Sequence, residues 1–190
     1  MWQAVKDTIE AMPGTSDSAT ERERLHAARC RRLFTVLYLG GLRAAEVAET
    51  RMGAFFCRRG RDGVERWWLE VTGKGNKWLV PATDELIVEL ARYRAAHGLP
   101  PAPHPGEARP IVLPIIGKKK PLSRGALHLM LKEVSGMAAE RLRSRGPEWE
   151  SRAAVLASAS THWLRHQEWK LFGRHQPLCT ATRLPRSSLT

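Results

Sequence analysis

The sequence has 190 residues, of which 43% are hydrophobic, enough for one globular domain with its own core but not comfortably for two. The sequence contains 31 lysines and arginines and 19 aspartates and glutamates, which gives a formal net charge of +12. This charge favours a polyanionic partner, bound by phosphate contacts and counterion release, although an arginine-rich protein from a GC-rich genome would share it. No apolar run is long enough to span a bilayer, so no membrane partner is expected.

The three cysteines, Cys30, Cys57 and Cys179, lie far apart along the chain, and no C-x-x-C motif occurs. The spacing therefore predicts neither a disulfide framework nor a zinc knuckle. The first residues include acids and lack the apolar run of a signal peptide. We expect a cytoplasmic protein with reduced thiols.

Hydrophobic spacing and chain breakers predict three helices in the first part of the chain. They cover residues 2–12, residues 20–39 and a short stretch from Arg43, with Pro13-Gly14 and Gly40-Gly41 as breaks. Stretches rich in Phe, Val and Trp then predict a small antiparallel sheet of three strands. The strands cover residues 54–59, 64–72 and 77–80, with the last closed by Pro81.

The rest of the chain alternates between helices and irregular segments. The predicted elements are a helix capped by Thr83 or Asp84, a proline-rich loop over 98–121 with a short extended piece at Ile111–Ile116, a helix capped by Ser123, a partly helical stretch over 141–158, and a last helix from Ser160 or Thr161. After about Phe172 no helical or strand period persists. These elements predict an α+β fold that is mostly helical.

Two clusters with possible chemistry lie in the first half of the sequence. In Gly41-Leu42-Arg43-Ala44-Ala45-Glu46, Arg43 and Glu46 share a helical face, so that Glu46 either orients a basic group or forms an ordinary surface ion pair. In Thr72-Gly73-Lys74-Gly75-Asn76-Lys77, the glycines allow a tight turn that exposes Lys74. Such a lysine can enter a DNA groove or protonate a leaving oxygen, or it can belong to an ordinary basic hairpin.

A third cluster lies near the end, where His162 and Arg165 are one helical turn apart and face the same way. An imidazole for proton transfer beside a guanidinium for phosphate is a phosphoryl-transfer pairing. The alternative is a buried histidine satisfied by backbone groups, together with a surface arginine.

In their order and spacing, Arg43, Lys74, His162 and Arg165 resemble the residues of the tyrosine recombinases, also called phage integrases. The matching pieces are GLRAAE, TGKGNKWLVPAT, PLSRGALHLMLKEV and THWLRH. The resemblance covers residues 20–166, most of the chain.

The resemblance implies a division of the chain and a set of partners. Residues 20–166 would form an integrase-like catalytic domain with a small three-stranded sheet, after an N-terminal helix and loop over 1–19 and before a non-matching, disordered tail over 167–190. Members of the family break and rejoin double-stranded DNA without a metal or nucleotide cofactor. Other recombinase subunits would be further partners, and the bacterial nucleoid, in the cytoplasm, would be the location.

The resemblance also implies a role for each matching residue. Arg43 and Arg165 would clamp the scissile phosphate and stabilise the charge of its transition state. Lys74 would protonate the departing 5′ oxygen, and His162 would assist proton transfer at the nucleophile. Glu46 would hold an active-site side chain in place without touching DNA.

The family's nucleophile is a tyrosine that follows the His-x-x-Arg motif, usually after a Leu-Gly-His segment, and this sequence has neither. Its two tyrosines, Tyr38 and Tyr93, are expected in the core or at its rim. We therefore expect a recombinase catalytic domain that is inactive alone. The alternatives are a non-cleaving DNA-binding module or regulator from a mobile element, an enzyme that borrows its tyrosine from another subunit, and an interaction protein without a DNA role.

The integrase-like pattern stops at His166, where Gln167-Glu168-Trp169-Lys170 replaces the small residue and apolar helix typical of the family. One hypothesis is that the residues after His166 are translated in a shifted reading frame. A short isoform is the competing explanation.

Overall fold

The structure, a computed structural model, describes residues 2–73, 76–115 and 120–161. Six α-helices and three strands fall within these ranges. In chain order they are α1 (Trp2–Glu10), α2 (Glu21–Tyr38), α3 (Ala44–Glu49), β1 (Phe55–Arg59), β2 (Glu65–Gly73), β3 (Asn76–Ala82), α4 (Asp84–Ala96), α5 (Arg124–Arg143) and α6 (Glu150–Ala157). The predicted α+β class, with more helix than strand and a small antiparallel sheet, is confirmed.

Local side-chain caps explain where the longer helices begin. Thr20 caps α2 by accepting the N–H of Glu23, whose carboxylate accepts the N–H of Thr20 in return. Of the two residues expected to cap α4, Thr83 does so, and Asp84 lies in the first turn, where a negative charge favours the helix dipole. Ser123 caps α5 as predicted.

The sheet is a three-stranded meander in the order β1-β2-β3, and both strand pairs are antiparallel. One face of β2 is buried through Leu69 and Val71, and Trp78 lies directly opposite Val71 on β3. The third strand continues through Pro81 instead of stopping before it. A proline is tolerated there because β3 is an edge strand and its outer hydrogen-bonding side needs no N–H donor.

The core forms where the helices pack around α2 and α5. The second half of α2 is almost fully buried, and α1 and α2 both contact α5. Small residues on the last turns of α5, Ala138 and Ala139, are completely buried and lie on the helix that contacts α6. This close packing extends α5 to Arg143, beyond the point near 141 where the sequence pattern weakens.

The proline-rich loop between α4 and α5 is irregular, as expected, but it is anchored. A single antiparallel bridge joins Arg51 to Pro110, and the next residue, Ile111, is fully buried. The extended piece expected at 111–116 is not a strand over 111–115, and Ile116 lies outside the described residues. Three backbone hydrogen bonds hold the loop at this bridge, from the N–H groups of Ile111, Met52 and Gly53 to the carbonyls of Thr50, Arg109 and Glu107.

Within the described ranges, none of the helices combines the length and the apolarity that a membrane span requires.

Candidate functional site

The candidate site is built at the turn between α2 and α3. Helix α2 ends before Gly40 and Gly41, and Gly41 has a φ of +58°, a left-handed conformation that glycine adopts without strain. A side chain at Gly40 would collide with the carbonyl oxygen of Val36, 2.7 Å from its Cβ position. The turn then buries Leu42 in the core. It thereby fixes the position of the next residue, Arg43, at the N-terminal end of α3.

Arg43 and Glu46 are joined by two hydrogen bonds at this end of α3. The backbone N–H of Arg43 donates to Glu46 Oε2 at 2.8 Å, and Arg43 Nη1 donates to Glu46 Oε1, also at 2.8 Å. Both carboxylate oxygens of Glu46 are therefore engaged by the same residue. The two side chains meet, but not on one helical face as predicted: Arg43 is the N-cap residue, with extended backbone, and Glu46 is the third residue of α3.

Burial divides the pair unequally. The Glu46 side chain is 6% exposed, whereas that of Arg43 is 51% exposed. Within the described parts of the chain, the Arg43 guanidinium makes no hydrogen bond other than the one to Glu46. A guanidinium has five N–H donors, so a buried carboxylate holds one edge of Arg43 while other donors face solvent. This arrangement suits recognition of an anion such as a phosphate.

The end of β2 lies against Glu46. A Cβ atom at Gly73 would lie 3.5 Å from Glu46 Cγ and only 2.7 Å from Cη2 of the Trp78 ring, so the close packing admits no side chain there. The end of β2 at Gly73 therefore lies next to the Arg43–Glu46 pair. Lys74 follows Gly73 in the sequence, and it lies outside the described residues.

Two other predicted site residues, His162 and Arg165, also lie outside the described residues, which end at Thr161. Helix α6, which precedes them, contacts α5, and α5 also contacts α3. Of the five predicted site residues, the structure thus describes Arg43 and Glu46 and brings them together. The roles of Lys74, His162 and Arg165 stay predictions.

Both tyrosines of the sequence are buried, as expected. Tyr38 is 8% exposed, and its ring stacks on that of Trp2 with 4.1 Å between centroids. The hydroxyl of Tyr93 accepts the N–H of Leu113 at 2.7 Å. Burial raises the pKa of Tyr93 to about 12, against the smaller opposite effect of that hydrogen bond. Neither ring is available as a nucleophile toward a DNA strand.

A fully buried arginine–glutamate pair, Arg94 and Glu107, was not predicted. Arg94 Nη1 donates to both Glu107 oxygens at 3.0 Å, and each side chain is 1% exposed. Arg109 donates to Glu107 Oε1 at 3.2 Å. Burial alone would raise the pKa of Glu107, but the hydrogen bonds from Arg94 and Arg109 outweigh it and lower that pKa. Since Glu107 lies in the irregular loop, no periodic pattern marks it.

Comparison of the chain with protein-family models, with curated proteins and with solved structures gave no match. A functional assignment therefore depends on the geometry and chemistry of the site.

Proposed function

We propose that the chain is a DNA-binding catalytic domain of the tyrosine-recombinase type, which binds a DNA phosphate at Arg43. The observation that carries the proposal is the unequal burial of the Arg43–Glu46 pair. A buried carboxylate fixes the guanidinium, and half of the arginine side chain stays exposed. The net charge of +12 adds a general attraction to DNA.

The position of Gly73, which directly precedes Lys74 in the sequence, supports the same proposal. Gly73 packs against Glu46, so the residue that follows it starts from the edge of the Arg43 site. In the proposed reaction, Arg43 and Arg165 neutralise the charge on the pentacoordinate phosphate. Lys74 donates a proton to the 5′ oxygen as the P–O bond breaks, and His162 accepts the proton of the attacking hydroxyl.

The proposal assigns no nucleophile within these 190 residues, since Tyr38 and Tyr93 are both buried. Strand cleavage then needs a tyrosine from outside these residues, such as one from another recombinase subunit. The chain alone is expected to bind duplex DNA and to form no covalent adduct with it.

The second candidate is a DNA-binding module or regulator that uses Arg43, Lys74 and Arg165 for phosphate contacts without any cleavage. The burial of both tyrosines favours this candidate as much as the first. The two differ in whether the remaining residues can still catalyse phosphoryl transfer.

A binding experiment tests what the two candidates share. The affinity for a fluorescent duplex is measured by anisotropy over a series of salt concentrations, for the wild type and for Arg43→Gln. Each phosphate contact contributes about −0.9 to the slope of log K against log salt, so Arg43→Gln should weaken binding and reduce the slope by about 1.

The matched control is Arg22→Gln, which removes an equal charge from an exposed position. Arg22 lies near the start of α2. At a rise of 1.5 Å per residue, it is about 24 Å along the helix from Tyr38, the last residue before the turn that leads to Arg43. The control should keep nearly the wild-type affinity. If Arg43→Gln binds as the wild type does, with an unchanged salt slope, the phosphate site at Arg43 is wrong.

A ligation experiment separates the two candidates, because the joining half of the reaction needs no tyrosine. The substrate is a nicked duplex with a 3′ p-nitrophenyl phosphate facing a 5′ hydroxyl. The 5′ oxygen bonds to phosphorus, nitrophenolate leaves, and the amine of Lys74 takes the hydroxyl proton.

A recombinase catalytic domain should release nitrophenolate and join the strand, and Arg43→Gln and Lys74→Met should abolish both. Binding without ligation in the wild type would overturn the catalytic proposal and leave the binding module. A covalent adduct between the chain alone and ordinary DNA would contradict the absence of a nucleophile.

A further inference from the structure

Three side chains with metal-binding atoms meet where α2 packs on α5. His26 and Cys30 are four residues apart on α2 and therefore share a face, and Glu133 faces them from α5. Nε2 of His26 lies 2.9 Å from Oε1 of Glu133 and 3.7 Å from Sγ of Cys30. All three donor atoms lie within 4.8 Å of one another.

We propose that His26, Cys30 and Glu133 bind a zinc-like divalent cation through an imidazole nitrogen, a thiolate and a carboxylate. These are the three ligand types that Zn²⁺ uses in proteins. Bonds of about 2.0–2.3 Å at the tetrahedral angle hold neighbouring donor atoms about 3.4–3.6 Å apart. The nitrogen–sulfur distance of 3.7 Å is slightly longer than this range, and a small rotation of the Glu133 side chain would open the nitrogen–oxygen distance of 2.9 Å.

The burial of the three residues indicates a site open on one side. Cys30 is fully buried, whereas the side chains of His26 and Glu133 are 25% and 45% exposed. The ion would therefore be reached from the solvent side, where water would supply the fourth ligand. A thiolate and a carboxylate together balance the two positive charges of the ion. Because burial raises the pKa of the Cys30 thiol to about 12, metal binding must release the thiol proton.

Arg29 opposes metal binding and gives the proposal a specific test. Its Nη2 lies 3.0 Å from Nδ1 of His26. A guanidinium only donates, so Nδ1 accepts, and the ring proton on Nε2 points to Glu133. A metal at Nε2 would move that proton to Nδ1 and would open the contact with Arg29. Replacing Arg29 with glutamine removes the competing charge and supplies a carbonyl that can accept the Nδ1 proton.

The experiment is a Co²⁺ titration of full-length protein that carries Cys57→Ser and Cys179→Ser, so that Cys30 is its single thiol. Binding is followed by the near-ultraviolet charge-transfer band that a thiolate gives with cobalt. We expect a band that saturates at one Co²⁺ per chain and disappears when Zn²⁺ is added. Arg29→Gln should tighten binding.

Loss of a residue that only orients a metal ligand weakens metal binding by about 10- to 100-fold. Glu133→Gln removes a proposed ligand itself, so it should weaken cobalt binding by at least about 10-fold. Cys30→Ser should remove the band. Glu140→Gln, on an exposed position of the same helix, is the matched control and should bind cobalt as the parent does.

Circular dichroism decides whether each variant is folded. Because Glu133 is partly exposed, Glu133→Gln carries the test even if Cys30→Ser fails to fold. A folded parent without a thiolate band, or a cobalt affinity that is the same in Glu133→Gln, would overturn the site. Neither result depends on whether the chain binds DNA.

Discussion

Among the arginine–glutamate pairs of the described residues, Arg43–Glu46 and Arg94–Glu107 have similar contact distances and very different surroundings. In the pair of Arg94 and Glu107, both side chains are 1% exposed, and Arg94 also donates through Nε to the carbonyl of Pro100 at 2.6 Å. In the pair of Arg43 and Glu46, the carboxylate is also buried, at 6% exposed, but the arginine is half exposed.

The difference shows how one kind of ion pair can serve two purposes. A fully buried pair neutralises its own charges and anchors the loop between α4 and α5 to the end of α4. In a half-open pair, such as Arg43 and Glu46, the carboxylate is buried and the arginine is partly exposed. Such a pair presents a fixed positive charge to solvent. Exposure of the arginine itself, and not burial of its carboxylate partner or the length of the hydrogen bond, therefore separates a structural arginine from a candidate ligand-binding arginine.

The largest expected effect comes from breaking the buried pair. Glu107→Gln leaves Arg94 charged and buried without a counterion, and such changes cost about 3 kcal/mol or more in the free energy of unfolding. Urea denaturation measures this loss. Affinity for DNA should be unchanged in the fraction that stays folded, since Glu107 has no part in the proposed phosphate site.

The control for this variant is Glu65→Gln on the exposed end of β2, which should leave the unfolding midpoint unchanged. Equal stability of Glu107→Gln and Glu65→Gln would contradict the anchoring role given to the buried pair.

A smaller effect is expected when acid protonates Glu107 in the wild type. The pKa of Glu107 is lowered in the folded state, so its contribution to stability is complete above the unfolded-state value of about 4.3. That contribution is lost as the pH falls through the lowered folded-state pKa. The free energy of unfolding should therefore fall more steeply with acid in the wild type than in Glu107→Gln. Parallel pH profiles for the two proteins would show that the pKa of Glu107 is not lowered.

The smallest stability effect is expected at the half-open pair. Arg43→Gln keeps an amide donor for the buried Glu46 carboxylate, which also keeps the backbone N–H of residue 43, and it loses one hydrogen bond between charged groups, which is worth about 1.5 kcal/mol in the free energy of unfolding. Its effect on the affinity for DNA should be large in comparison. Thermal unfolding and duplex anisotropy on the same samples give the two values. A loss of stability as large as that of Glu107→Gln would make Arg43 a structural residue.

Local signals predicted most of the fold. Thr83 and Ser123 cap their helices because the hydroxyl and the N–H that it accepts are three residues apart, a relation visible in the sequence. The strands followed from apolar runs bounded by glycine. The anchored loop could not be predicted in the same way, since Glu107 reaches Arg94 across an irregular segment with no period.

For the candidate site too, the local contact could be predicted from the sequence and the burial could not. The contact between Arg43 and Glu46 follows from their spacing of three residues across the start of α3. The burial of Glu46 does not, because it depends on the end of β2, where Gly73 packs against it from a distant part of the sequence. The cluster of His26, Cys30 and Glu133 escaped prediction for the same reason, since its third member comes from another helix.

The packing of α1 against α5 has a consequence for the order of events during synthesis. Val5 and Ile9 are almost completely buried, and α1 contacts α5, which begins roughly 110 residues later. At about 5–20 residues per second, a ribosome takes roughly 5 to 20 seconds to make that interval. For this time the apolar face of α1 lacks its final partner, and a nascent-chain chaperone would find its binding surface there.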